Sequence, residues 1–226
     1  MIAEQSLGGQ RQALMEGVDL LVGAGVMSHT GHINASVRVD SDRMLLTPTG
    51  LAGELRAETL AVVRHDGHVE DGRISASTSE IIGMHTAVYL AREDVAAVVH
   101  THSPHLTAFA LAHRPLPCRY EALLRHGQTE AVPIVPWAPR GSEASTRGIG
   151  EALARHPGSR AVLLANHGVL VGGPAATTAA KLLVVLEEAA AAELRAVALG
   201  GARDLPAAAE QDVQQSMHRA AGAQAG

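Results

Sequence analysis

Apolar positions in the first third of the chain follow one helical pattern and two alternating patterns. Residues 10–24 carry apolar side chains at helical spacing and end at glycines, which predicts an amphipathic helix. The segments "ASVRV" and "RMLLT" alternate or run apolar on either side of "DSD", and this predicts a β-hairpin. The segment "LAVVRHDGHVEDG" predicts a second hairpin, which turns at Asp66-Gly67.

The apolar spacing becomes helical again at Ser79. Ile81, His85 and Val88 would share one face of this helix, and Ser79 or Thr78 could cap its start.

Strands and helices alternate through the rest of the chain. The apolar runs "VAAVVH" and "AVPIVP" predict two buried strands, and "RAVLLANHGVLVGG" predicts two more that meet at residues 166–168. The segments between them have helical spacing, and a proline stands where the first and the last begin. The predicted helices are 104–111, 142–156 and 174–199.

This order of elements indicates an α/β sandwich with a mixed or largely antiparallel sheet. The sequence shows no internal repeat and no linker, so residues 1–202 are predicted to form one domain. Residues 203–226 are polar and alanine-rich without a clear core face, which predicts a mobile tail or a surface-lying helix. The two common glycine-rich nucleotide-binding motifs do not occur.

Composition and charge narrow the class of protein. The chain has 226 residues, of which 46% are hydrophobic and only 2% aromatic, so Ala, Val and Leu must fill most of the core. A net charge of -5 argues against nucleic acid or an anionic membrane as the main partner. The single cysteine, Cys118, fits a reducing compartment. We find no signal-peptide pattern and no apolar run of membrane-spanning length, so a cytoplasmic protein is expected.

Histidine is frequent, with 13 in the chain, so about one His-x-His pair is expected by chance. His65 and His68 flank a hairpin turn, where exposed side chains are the rule. His29 and His32 lie in a glycine-containing turn and could line a pocket.

His100 and His102 differ from the other pairs because they stand at the end of an apolar strand. Side chains two residues apart point to the same side of a sheet, so both imidazoles could reach one ion. A catalytic zinc site usually has three protein ligands and one open position. His167 also follows an apolar strand and precedes Gly168, which allows a close approach of the backbone. Alternatively, the pair is a polar strand end exposed to water.

Five motifs, in order over residues 10–200, resemble the class II aldolase/adducin family. "INASVR" resembles its G-N-x-S-V-R segment, and "LLTPTG" matches its T-P-T/S-G loop. "STSE" is similar to the S-S-E that begins its catalytic helix. "HTHS" matches its metal-binding pair, and "LLANHGVLV" resembles the segment with the third histidine. The resemblance implies a three-layer α/β/α sandwich with a mostly antiparallel central sheet.

The resemblance also implies a reaction. His100, His102 and His167 would hold Zn²⁺, with Mn²⁺ or Co²⁺ as alternatives, and the ion would stabilise an enediolate during retro-aldol cleavage of a sugar phosphate. Glu80 would be the general acid/base at the nucleophilic carbon. Tyr120 would protonate the aldehyde oxygen across a subunit boundary, because family members are commonly cyclic tetramers with shared sites. As an alternative, Tyr120 is an interface residue without a catalytic role.

The family's phosphate-binding positions correspond to five residues of this chain: Asn34, Thr49, Gly50, Thr78 and Ser79. Backbone N–H groups, hydroxyls and a helix start suit an anion even without a lysine. Three features of the sequence bear on this site. Thr78 replaces the first serine of the family's S-S-E, which is a mild change. Ile33 replaces the family glycine before the asparagine, and His32 could intrude into the pocket.

Two other kinds of function are compatible with the sequence. The same metal site could serve 4-epimerisation, dehydration or decarboxylation of a related sugar phosphate or sugar acid, because all of these begin with enolate-type chemistry. The chain could also be a non-catalytic interaction module, as in adducin. The presence of three histidines and Glu80 disfavours this last alternative.

Overall fold

The computed structural model describes residues 2–224, and its core is a sheet of nine strands. The strands are β1 His32–Arg38, β2 Arg43–Leu46, β3 Gly50–Leu51, β4 Ala61–Arg64, β5 Val69–Asp71, β6 Ala97–Thr101, β7 Ile134–Val135, β8 Ala161–Leu164 and β9 Gly168–Gly173. The helices are α1 Ile2–Ala24, α2 Glu80–Ala91, α3 Pro104–Leu111, α4 Glu121–Arg125, α5 Glu143–Arg155, α6 Ala176–Ala196 and α7 Ala209–Gln224.

The sheet has the order β5-β4-β2-β1-β6-β9-β8-β7, and β3 pairs with β1 at the side of the main path. Every pairing between these strands is antiparallel except that of β7 with β8. The strand β6 therefore lies in the centre, between β1 and β9. Residues at its end are enclosed by neighbouring strands on both sides.

Alternation along the strands divides the core into two apolar layers. In β6, Val99 packs with α1, α3 and α6, whereas Val98 packs with α2 and α5 on the other face. The same alternation holds in β9 for Val171 and Leu170. Helices therefore cover both faces of the sheet, and the predicted three-layer α/β/α class with a mostly antiparallel sheet is confirmed.

The two predicted hairpins are confirmed as β1–β2 and β4–β5, and Gly67 has the positive φ of 96° that the second turn requires. The first helix is longer than predicted, since α1 begins at Ile2. The predicted side-chain cap of α2 is absent. Ser79 has a helical backbone and its hydroxyl donates to the carbonyl of Ala76 at 3.1 Å instead.

The C-terminal segment contains α7, which packs against α4 and buries Val213. Among the described residues, no helix has the length and apolar character needed to cross a membrane.

Candidate metal centre

His100 and His102 are held by the central strand of the sheet. His100 lies in β6 opposite Asn34 of β1 and Leu170 of β9, on the face covered by α2 and α5. His102 follows the last residue of the strand. Their ring centroids are 5.1 Å apart.

His167 reaches the same point from the turn between β8 and β9. Asn166 has a φ of 57°, a left-handed conformation that asparagine tolerates better than most residues. Its side-chain oxygen accepts a hydrogen bond from Nε2 of His113 at 2.6 Å, and its backbone N–H donates to the carbonyl of Ala110 at 3.1 Å. These contacts fix the turn that presents His167.

Gly168 lets this turn approach the end of β6. A Cβ at this position would lie 2.5 Å from the carbonyl oxygen of Thr101 and 2.8 Å from Cδ2 of His102. Only glycine therefore allows the backbone of this turn to lie so close to the end of β6. The sequence predicted this close approach from the position of Gly168 after His167.

One ligand atom of each of the three histidines lies within 4.8 Å of the others, so the imidazoles can share one ion. Among the described residues, no other group of three or more His, Cys, Asp or Glu has this spacing. Nδ1–H of His100 donates to the carbonyl of Val169 at 3.0 Å, which leaves Nε2 free to bind a metal.

The three imidazoles are held neutral, as metal ligands must be. Burial lowers the pKa of His100 well below its ordinary value, and the neighbouring histidines lower it further. Burial, with contributions from His102 and Arg140, lowers the pKa of His167 to about 4. Burial also lowers the pKa of His102.

A cavity of about 240 Å³ opens beside the three histidines. Its polar lining includes the predicted residues Asn34, Thr49, Thr78 and Glu80, and Ile81 and Met84 form its apolar floor. A cavity of this size suits a small metabolite.

Thr49 and Asn34 present polar groups to this cavity. Oγ1 of Thr49 is buried and has no hydrogen-bond partner, which is costly unless a ligand supplies one. The side-chain oxygen of Asn34 accepts a hydrogen bond from Nε2 of His85 at 2.7 Å. Its NH₂ end is therefore directed away from His85, towards the cavity that it lines.

The other predicted phosphate-binding residues differ in position. Gly50 pairs with Ile33 through β3, and a Cβ on Gly50 would meet only open space. Ser79 is exposed and, unlike Thr78, is not part of the cavity lining. Ile33 is part of the cavity lining, although its side chain is buried in the core cluster that includes Val99, on the opposite face of the sheet from His100.

His32 and Arg140 also line the cavity. The ring of His32 stacks parallel to that of His102 with centroids 6.3 Å apart, so it enters the pocket as the sequence suggested. Sequence reasoning missed Arg140, whose Nη1 lies 3.6 Å from Oε1 of Glu80. Arg140 lies in an irregular segment rich in Pro and Gly, where no periodicity indicates what a side chain faces.

Tyr120, like Gly50 and Ser79, does not line the cavity. It is exposed immediately before α4, beside a groove that it shares with Glu193 of α6. Any contact between Tyr120 and the cavity would have to come from another copy of the chain.

The chain resembles known proteins along most of its length. Residues 12–194 match the family model described as the Class II Aldolase and Adducin N-terminal domain. The chain is 33% identical over 141 residues to L-fuculose phosphate aldolase of Haemophilus influenzae, a match covering 62% of each chain. It is 34% identical over 151 residues to 3-oxo-tetronate 4-phosphate decarboxylase of the same organism, covering 62% of this chain and 66% of that one.

A solved structure of L-fuculose 1-phosphate aldolase superposes with a TM-score of 0.79 at 25% identity, covering 93% of this chain and 96% of that one. The sequence match to the H. influenzae aldolase spans less than two thirds of its length, whereas the structural match spans nearly all of the solved chain.

Proposed function

The chain belongs to the class II aldolase and adducin family, and we propose that it is a metal-dependent aldolase that reversibly cleaves a sugar phosphate. The observation that carries this proposal is the convergence of three neutral histidines on a cavity lined by Glu80 and by the unpartnered hydroxyl of Thr49. A carboxylate, three possible metal ligands and a possible anion-binding hydroxyl would then serve one small substrate.

His100, His102 and His167 would hold the divalent ion. Three imidazoles with space on the fourth side match the donor set of a catalytic zinc site, and Mn²⁺ or Co²⁺ could also bind. When bound, the ion supplies Lewis-acid stabilisation of the negative charge that develops on the substrate.

Glu80 would move the proton at the nucleophilic carbon. It is the first residue of α2, and its side chain is only 17% exposed. In the cleavage direction Glu80 gives this proton back to the carbon once the bond to the neighbouring carbon has broken.

The phosphate would bind to the polar residues that the family resemblance indicates. The NH₂ group of Asn34 and the hydroxyls of Thr49 and Thr78 are its side-chain donors, and backbone N–H groups near Gly50 and Ser79 add to them. The orphaned hydroxyl of Thr49 supports this assignment, because a buried polar atom without a partner is uncommon.

Tyr120 of the partner subunit would protonate the aldehyde oxygen in the condensation direction, and accept the hydroxyl proton in the cleavage direction, in a homotetramer with shared sites. Its exposure within one chain supports this role, since an exposed tyrosine is available to a neighbouring copy. Activity that persists in a fully dissociated monomer would contradict it.

Decarboxylation of a sugar-acid phosphate is a second candidate function. The 34% identity to 3-oxo-tetronate 4-phosphate decarboxylase and the cationic side chain of Arg140 in the cavity favour it. Product analysis separates the two functions, because only decarboxylation releases carbon dioxide.

The test uses L-fuculose 1-phosphate and the metal-loaded protein, and measures release of dihydroxyacetone phosphate. Glu80→Gln is expected to lower kcat by about 10²- to 10⁴-fold, the usual contribution of a general base. The control is Glu143→Gln, which alters an exposed glutamate at the start of α5. A Glu80→Gln protein with unaltered kcat would contradict the proposed role.

A further inference from the structure

Arg140 stands between the metal-site cavity and a second cavity. The second cavity, of about 300 Å³, includes Trp137, Ser145 and Asn166 in its lining. It shares only His167 and Arg140 with the first. None of the phosphate-binding residues proposed above lines it. A substrate that extends past the metal, away from its phosphate, would therefore pass Arg140.

The backbone that carries Arg140 is fixed at this place. The N–H of Ser142 donates to the carbonyl of Pro139 at 3.0 Å, and Oγ of Ser142 caps α5 by accepting from the N–H of Ser145 at 3.2 Å. Gly141 has a φ of 75°, and a Cβ there would lie 2.9 Å from Cβ of Glu80. The turn therefore packs directly against the start of α2.

The guanidinium of Arg140 has unused donor capacity. Among the described residues its one ion pair is with Glu80 at 3.6 Å, which is too long for a hydrogen bond, and its charge also acts on His102 and His167. Of the residues that the structure describes, it is the only arginine or lysine in the lining of either cavity. A guanidinium carries five N–H donors in a planar fork that matches a carboxylate.

We propose that Arg140 binds a carboxylate on the half of the substrate that lies beyond the metal, so that the enzyme prefers an acidic aldehyde as the acceptor of the aldol reaction. This inference rests on the proposed function and adds the substrate class to it. Arg140 also offsets the charge of Glu80, which would otherwise repel an anionic acceptor.

The reaction with glyoxylate illustrates the balance of atoms. The hydroxymethyl carbon of dihydroxyacetone phosphate loses a proton to Glu80, and its electron pair forms a bond to the aldehyde carbon of glyoxylate. The aldehyde oxygen takes up one proton, here assigned to Tyr120 of the partner subunit. The product is a five-carbon keto acid phosphate, and no other reactant is consumed.

The test compares two acceptors of equal carbon number, glyoxylate and the neutral glycolaldehyde, in condensation with dihydroxyacetone phosphate. Arg140→Gln is expected to raise the KM for glyoxylate about tenfold, as for the loss of one charge-assisted contact, and to leave the KM for glycolaldehyde unchanged. Arg147→Gln is the matched control, because Arg147 is 60% exposed and Arg140 is 66% exposed. Arg140→Lys should restore part of the preference.

Two results would overturn the proposal. An equal fall in kcat for both acceptors, without a change in KM, would show that Arg140 acts only on Glu80. A higher concentration of dihydroxyacetone phosphate for half-maximal C–H exchange in D₂O would assign Arg140 to the phosphate. C–H exchange by the wild-type protein separates failure of this inference from failure of the proposed function. If the wild-type protein does not exchange the proton, the proposed function itself is contradicted.

Discussion

Nε2 of His85 and the side-chain oxygen of Asn34 lie 2.7 Å apart in the buried space between α2 and β1. The other ring nitrogen of His85 lies 2.7 Å from Oγ of Ser36, which in turn lies 2.7 Å from the hydroxyl of Tyr89. All donors are used if Tyr89 donates to Ser36, Ser36 donates to Nδ1 of His85, and Nε2–H donates to Asn34. This series of hydrogen bonds requires the imidazole of His85 to be neutral.

The first prediction concerns the pH dependence of stability. Burial lowers the pKa of His85 to about 3, whereas an unfolded histidine has its ordinary value of 6.5. The stability from a neutral His85 is therefore fully present above pH 6.5 and is lost as the pH falls towards 3, at about 1.4 kcal/mol per pH unit. Urea unfolding at several pH values, with a chelator present, measures this slope.

In the same series His85→Gln should reduce the slope of unfolding free energy against pH by about 1.4 kcal/mol per pH unit, the value for one bound proton. His68→Gln is the control, because His68 is exposed on a hairpin turn and takes no part in these hydrogen bonds. Equal slopes in the wild-type protein and His85→Gln would contradict a neutral, buried His85.

The second prediction concerns Gly168. An added Cβ would collide with the backbone of Thr101, so Gly168→Ala should destabilise the protein by about 1–3 kcal/mol and weaken metal binding. A Cβ on Gly23 in α1 would meet only open space, and Gly23→Ala should stabilise by about 0.5–1 kcal/mol. Denaturant unfolding of both variants checks the opposite signs. Equal effects would show that the close approach of Gly168 is unimportant.

The third prediction concerns the turn that presents His167. Asn166→Ala should cost about 1–2 kcal/mol, because alanine disfavours the left-handed conformation, and it should lower metal affinity through His167. Asn166→Gly removes the same side chain without this backbone cost. Competition with a chelating dye measures the affinity. If Asn166→Ala and Asn166→Gly lose the same metal affinity, then the contact with His113 positions His167, and the backbone conformation does not.

The fourth prediction concerns Glu187, a buried carboxylate of α6. Its two oxygens accept hydrogen bonds from the N–H groups of His105 and Leu106 at 2.8 and 2.9 Å, so it caps the start of α3. Glu187→Gln leaves one acceptor and should cost about 1–3 kcal/mol in unfolding free energy. Glu188→Gln, at the exposed neighbouring position, should change it little. Similar losses in both variants would contradict the capping role.

The sequence predicted those features that depend on local patterns. Alternation and turn residues identified the hairpins, and the apolar strands that end at His100 and His167 indicated which histidines could meet. The motif resemblance added Glu80, Asn34 and the threonines, which line the cavity.

Features that depend on packing between distant segments were not predicted. Arg140 meets Glu80 because α5 packs against α2, and nothing local in the chain signals that contact. His85 was placed on the apolar face of α2, but its polar partners lie in β1. A surface-lying helix was one of two alternatives predicted for the last segment, but the burial of Val213 in α7 was not predicted.

Metal-dependent removal of a proton from the substrate is the central claim, and exchange of dihydroxyacetone phosphate protons in D₂O tests it without knowledge of the aldehyde. The metal-loaded protein is expected to exchange one hydroxymethyl proton stereospecifically, as followed by proton NMR. A chelator or His100→Ala should abolish the exchange, whereas His68→Ala should preserve it. Undiminished exchange in the chelated protein and in His100→Ala, or none in the metal-loaded wild type, would contradict the account.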